Sequence, residues 1–145
     1  MFMGEYHPSF DEKGRIAIPA RLRKAFGEDS AISKLVIAPS FDKCIMAFRE
    51  SEWKDFVQNK LMALSQGEQK NRMKMRFLMG GAAECELDKQ GRILIPANLI
   101  EYAEIKDEVT ILGVFDKIEI WGTQVYNQHK PDKETLGVFA RDLGF

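Results

Sequence analysis

Phe10-Asp-Glu-Lys-Gly-Arg-Ile-Ala-Ile-Pro-Ala-Arg-Leu-Arg23 returns without a gap as Leu87-Asp-Lys-Gln-Gly-Arg-Ile-Leu-Ile-Pro-Ala-Asn-Leu-Ile100. Eight of the fourteen positions are identical, where unrelated sequences would share about one. The chain is therefore built from a repeated structural unit. The likeness extends outward: Phe41-Asp42-Lys43 matches Phe115-Asp116-Lys117 after a register change of three residues, and Gly4 corresponds to Gly81. An insertion in a surface connection accounts for such a shift. The repeats span roughly residues 4–48 and 81–121, with a spacer at 49–79 and a C-terminal segment at 122–145.

The punctuation of each copy predicts its elements. Ile16-Ala-Ile18 and Ile93-Leu-Ile95 alternate β-branched residues directly after a glycine, while Glu5 to Phe10 and Cys85 to Leu87 precede the aspartate. That is the pattern of strand, turn, strand. Pro19 and Pro96 end the second strand and open short helices, Ala20 to Phe26 and Ala97 to Ala103. Lys34 to Ala38 with Cys44 to Phe48, and Glu108 to Leu112 with Ile118 to Trp121, form a second strand pair around each Phe-Asp-Lys turn. A half of this size cannot cover both its faces, so the two copies are expected to interlock about a pseudo-two-fold axis into one β-rich core. In the spacer Trp53, Phe56, Val57, Lys60, Leu61 and Leu64 recur at helical intervals, and Met73 with Phe77 starts another stripe. Ser65-Gln66-Gly67 breaks it into a helical hairpin.

Composition narrows the class. A chain of 145 residues, 45% hydrophobic and 30% charged, reads as an ordinary globular protein and excludes collagen, low-complexity disorder and coiled coil. Cys44 and Cys85 make neither a disulfide framework nor a zinc set, and both read as small buried hydrophobes. No apolar run is long enough for a bilayer and no secretory signal opens the chain, so a cytosolic protein with no membrane partner is expected. The net charge of −1 supplies no global field for nucleic acid. The charges are segregated, however: Lys13, Arg15, Arg21, Arg23 and Lys24 face only Glu12 in their stretch, and Lys70, Arg72, Lys74 and Arg76 form a second run. That second run has the look of a solvated face.

In Asp11-Glu-Lys-Gly14-Arg15 and Asp88-Lys-Gln-Gly91-Arg92 the carboxylate can accept backbone N–H groups two residues on, and glycine supplies the positive φ of a tight turn. Turn chemistry alone could explain both, with arginine paired to aspartate across the loop. Arginine in both copies also suits a shared task, because its planar fork grips guanine edges or phosphate bidentately. The candidate DNA-contacting residues are Lys13, Arg15, Arg21, Arg23, Lys89 and Arg92, with Asp11, Gly14, Asp88 and Gly91 forming the turns. By linear neighbourhood the first loop is the better anion site, since Asn98 and Ile100 stand beyond the second. His7 and His129 have no partner at ligand spacing, and no serine or glycine motif carries chemistry, so no metal, cofactor, small-molecule substrate or catalytic residue is expected. Met62, Met75 and Met79, if they do not fit the core, would meet another subunit.

The duplicated Asp-x-x-Gly-Arg-hydrophobic-x-Ile-Pro pattern, with the Phe-Asp-Lys turns and the Trp53 helix, resembles the bacterial MraZ family, and each half resembles the AbrB-type swapped-hairpin unit. The resemblance implies a mainly β fold with helices, a duplicated swapped-hairpin β-barrel with a helical hairpin spacer. It implies a DNA-binding transcriptional regulator acting on direct repeats upstream of the division and cell-wall gene cluster, its own promoter included. It further implies double-stranded DNA as partner, a homo-oligomeric ring and association with the nucleoid. Two other readings stay open: a ring-forming interaction scaffold that binds no DNA, and an AbrB-type antitoxin with a disordered partner-binding tail.

Overall fold

The computed structural model describes residues 1–27 and 34–145. Its six-stranded antiparallel sheet runs in the order β1 (Phe2–Tyr6), β7 (Val109–Phe115), β8 (Lys117–Gly122), β4 (Ile45–Arg49), β3 (Lys34–Pro39), β5 (Ala83–Glu86). A separate two-stranded ribbon joins β2 (Arg15–Ala17) to β6 (Arg92–Leu94). The Phe-Asp-Lys turns connect β3 to β4 and β7 to β8 as expected, with Lys43 and Phe115 at positive φ.

The hairpins expected around the two motif loops close only at their tips, where Asp11 N–H donates to Arg15 O and Asp88 N–H to Arg92 O, and the longer strands before them pair elsewhere. β1 pairs with β7, from Phe2↔Phe115 to Tyr6↔Ile111, and β5 pairs with β3, from Lys34↔Glu86 to Ile37↔Ala83. Each half thus lends its first strand to the other half's second hairpin, and β4 joins β8 at the centre. The strand order reads the same from either end with the copies exchanged, which is the pseudo-two-fold relation expected of the repeat. The predicted strand over Glu5 to Phe10 ends at Tyr6; Pro8 has no N–H to give a ladder, and only Phe10 returns, as a bridge to Ile16. Among the described residues the sheet does not close into the barrel that the resemblance implied. β1 and β5 stand at the two ends of the strand order, and the ribbon is a separate sheet that packs Ile16 and Ile93 against the core residues of the first.

Alternation along the strands fixes the two layers. Leu35, Ile37, Ile45, Ala47, Val109, Ile111, Ile118 and Ile120 point to one face, where Ile16 and Ile93 of the ribbon and the helices α1 (Ala20–Phe26) and α4 (Ala97–Tyr102) cover them. Both helices start behind a proline whose carbonyl accepts from the first turn, and each buries one stripe, Leu22 with Phe26 and Leu99. Full burial of a side chain such as Ile16 or Ile93 stabilises by about 1.5–3 kcal/mol. The three-residue register change falls between α1 and β3, a stretch whose residues 28–33 lie outside those described.

On the other face, Val36, Ala38, Met46 and Phe48 meet the spacer through Trp53, Leu61 and Leu78. The spacer is α2 (Glu50–Phe56), a π-helical turn at Val57–Leu61, and α3 (Gln69–Gly81), with the break near Ser65. Its inward stripe differs from the expected one: Lys60 and Met73 are exposed, whereas Leu78 and Asn71 are buried, Asn71 because its amide donates to Ser65 O at 2.9 Å. Of the three methionines set aside for another subunit, Met62 and Met79 are exposed and Met75 packs partly into this layer. In the C-terminal segment α5 (Thr123–His129) buries Val125 beside Trp121 and Cys44. The tail is ordered as a helix, α6 (Lys133–Leu143), capped by Asp132, which buries none of its residues and exposes Leu136, Phe139 and Leu143 on one side. A disordered tail is therefore not what the chain carries.

Candidate nucleic-acid interface

The ribbon builds the site. Its register sets Arg15 opposite Leu94, Ile16 opposite Ile93 and Ala17 opposite Arg92. Paired residues share a face, so the two buried isoleucines anchor the inner side while Arg15, Ala17, Arg92 and Leu94 form the outer side. Two further bonds lock the copies together: Ile18 N–H donates to Gly91 O and Ile95 N–H donates to Gly14 O, each at 2.9 Å. Every motif loop is therefore braced by the strand of the other copy.

Both loops are made by the same local chemistry. Asp11 Oδ1 accepts the N–H of Lys13 (3.0 Å) and of Arg15 (2.9 Å); Asp88 Oδ1 accepts those of Gln90 and Arg92, both at 2.9 Å. Gly14 and Gly91 sit at φ +84° and +75°, where any other residue is strained. The bond from the arginine N–H holds each aspartate's carboxyl below the usual carboxylate value of 3.8, with the guanidinium bond adding to it.

The arginines are neither free nor sequestered. Arg15 Nε donates to Asp11 Oδ2 at 2.6 Å and Arg92 Nε to Asp88 Oδ2 at 2.9 Å, so the pairing that turn chemistry alone demands is present in both copies. Arg92 Nη1 also lies 3.8 Å from Asp11 Oδ2, so both guanidiniums converge on one oxygen. Their side chains are 33% and 27% exposed. With Nε committed, each arginine is fixed in direction, and among the described residues the Nη groups of Arg15 have no protein acceptor within hydrogen-bond range. A fork fixed behind and open in front is suited to bidentate recognition.

The remaining candidates surround this pair. Lys13 and Lys89 are exposed in the loops, and Arg21 and Lys24 are exposed on α1, which has no acidic residue. Arg23 behaves differently. Its Nη1 donates to Ile18 O at 2.8 Å, and it covers Gly91, where an added Cβ would overlap Nη1 and lie 2.8 Å from Cζ. At the equivalent place over Gly14 stands Ile100. The swap thus carries a cation from the first copy to the second loop, a neighbour that linear order does not give it. Of the other basic run, Lys70, Lys74 and Arg76 are exposed, and Arg72 donates to Gln66 O. His7 bonds to Glu5 and Thr110, and His129 to Val125 O.

Leu94, which no charge or motif marks in the sequence, is 57% exposed on the ribbon face it shares with Arg15 and Arg92. The signal was available: in Ile93-Leu94-Ile95 the middle residue of an alternating strand must point away from its buried neighbours.

A family model described as "MraZ protein, putative antitoxin-like" matches residues 1–77 and again residues 78–138. A protein of Carboxydothermus hydrogenoformans named "Transcriptional regulator MraZ" is 43% identical over 129 residues, 89% of this chain and 86% of that one. Proteins of the same name from Thermoanaerobacter sp. (42% over 129 residues, 89% and 86%) and Desulfitobacterium hafniense (41% over 134 residues, 92% and 90%) are similar to the same extent.

Proposed function

The chain belongs to the MraZ family, and from that premise we propose that it is a DNA-binding transcriptional regulator, not an enzyme, which grips duplex DNA with the outer side of its swapped ribbon. The observation that carries this reading is the convergence of Arg15 and Arg92, one from each copy, on a single face with their Nε atoms braced by aspartate. A two-stranded ribbon fits the major groove, and an arginine fork meets guanine O6 and N7 there. Lys13, Lys89, Arg21 and Arg23 serve the flanking phosphates, with Asp11, Gly14, Asp88 and Gly91 holding the loops that present them.

One protomer contributes few cations, and binding through about four phosphates is weak and strongly salt-dependent. A homo-oligomeric ring offering several ribbons to repeated sites raises the affinity through effective concentration. In this reading the protein works in the cytosol, on the nucleoid, at direct repeats upstream of the division and cell-wall gene cluster and its own promoter. The test is a gel shift with the duplex upstream of its own coding sequence against a scrambled duplex, across a salt series. Arg15→Ala is expected to abolish the preference while leaving the mass of the oligomer unchanged; retained preference refutes the site.

The antitoxin term in the family's description, together with the exposed apolar side of α6, favours one second reading, an antitoxin that holds a toxin through its tail. Co-purification of a partner that is lost on deleting residues 132–145 would support it.

A further inference from the structure

We propose that Leu94 is a specificity-determining residue that reads thymine through its C5-methyl group; this rests on the DNA-binding reading above. An exposed leucine alone is ordinary. Three observations make this one different. Its cross-strand partner is Arg15, so it shares the outer face with both arginines. Its Cδ1 lies against the first motif turn, 4.0 Å from the point a Gly14 Cβ would occupy, so it stands beside the loop that carries Lys13. The equivalent residue in the other copy is Ala17, which is too short to reach as far, so the apolar tip is present once per ribbon.

The chemistry follows from the face. In the major groove each base pair shows hydrogen-bonding atoms except at the thymine methyl, the one apolar group on the groove floor. A ribbon whose arginines point at acceptor atoms brings the side chain opposite Arg15 to an adjacent base step. A leucine there gains from a methyl and loses from any polar edge that it leaves unpaired. Leu94 therefore selects a thymine next to the guanine contacted by Arg15, whereas the arginines by themselves select only guanine.

The experiment uses the intact protein and the duplex upstream of its own coding sequence, made once with thymine and once with deoxyuridine, which lacks only the methyl. Binding is measured by fluorescence anisotropy at fixed salt. Wild type is expected to bind the deoxyuridine duplex about fourfold more weakly, the loss of roughly one buried methyl. Leu94→Ala is expected to bind the thymine duplex as weakly as wild type binds the deoxyuridine one, and to show no difference between the two. Equal affinity of wild type for both duplexes, or full discrimination by Leu94→Ala, overturns the proposal while leaving the arginine reading standing. Wild type that binds neither duplex above a scrambled control overturns both. Because Leu94 is exposed, its truncation leaves the core intact, which circular dichroism and the oligomer's mass verify.

Discussion

Gly91→Ala tests the exchange of side chains between the copies. At φ +75° a Cβ costs about 1–2 kcal/mol in backbone strain. It would also displace the Arg23 guanidinium and so break its bond to Ile18 O. A charged donor on a carbonyl contributes about 1.5–3 kcal/mol; Arg23 is only half-buried, and water replaces part of it, leaving about 1 kcal/mol. The single substitution should then cost about 2–3 kcal/mol, Arg23→Ala about 1 kcal/mol, and the pair no more than Gly91→Ala alone, a coupling of about 1 kcal/mol. Gly14→Ala provides the control: its Cβ would meet Ile100 Cδ1 at 2.9 Å and Ile95 O at 3.2 Å, so its cost should not change on the Arg23→Ala background. Urea unfolding of the four variants in the cycle, with the control pair beside them, measures the coupling. Additive costs for Gly91→Ala and Arg23→Ala would refute the claim that the first copy's helix clamps the second copy's loop.

Carbon-13 titration of the side-chain carboxyls should place Asp11 and Asp88 below 3.8; because the folded value is the lower one, the stability linked to these loops is complete above 3.8 and is lost as pH falls through the folded value. Midpoints at or above 3.8 would contradict the bonds described. Burial pushes the Cys44 thiol up to about 12, so a thiol reagent at pH 8 should modify this fully buried cysteine only on unfolding, whereas Cys85, only partly buried, should react sooner; labelling of Cys44 in the native protein within minutes would count against its packing. Ending the chain at Pro131 removes α6, which buries nothing, and should shift the unfolding free energy of the protomer by no more than about 0.5 kcal/mol. A loss above about 1 kcal/mol would show α6 to be part of the body.

The duplication made much of this molecule readable. Two copies of Asp-x-x-Gly-Arg fixed the turn geometry, and the Ile-x-Ile alternation put Ile16 and Ile93 inside. Proline followed by a helical stripe located α1 and α4. The partner of each strand was not readable, because β1 and β5 carry no mark of which hairpin they join; pairing between distant segments is decided by the packing of the whole sheet. The same limit hides the neighbour of Arg23, which in space is Gly91 of the other copy. The inward stripe of α3 was misread at Met73, because a buried asparagine breaks the apolar rhythm and its amide bond to Ser65 is invisible to a hydropathy pattern.

Two identical chains meeting at a symmetry axis must offer their ligand the same side chain from both directions, and they match palindromes. A single chain that carries both copies is released from that obligation. Here Arg23 covers one turn and Ile100 the other, and Leu94 stands where its counterpart is Ala17. The ribbon has acquired a head and a tail. On the DNA-binding reading proposed above, such a protomer would distinguish a site from its inverse, and copies aligned head to tail would suit boxes laid in tandem better than mirrored ones.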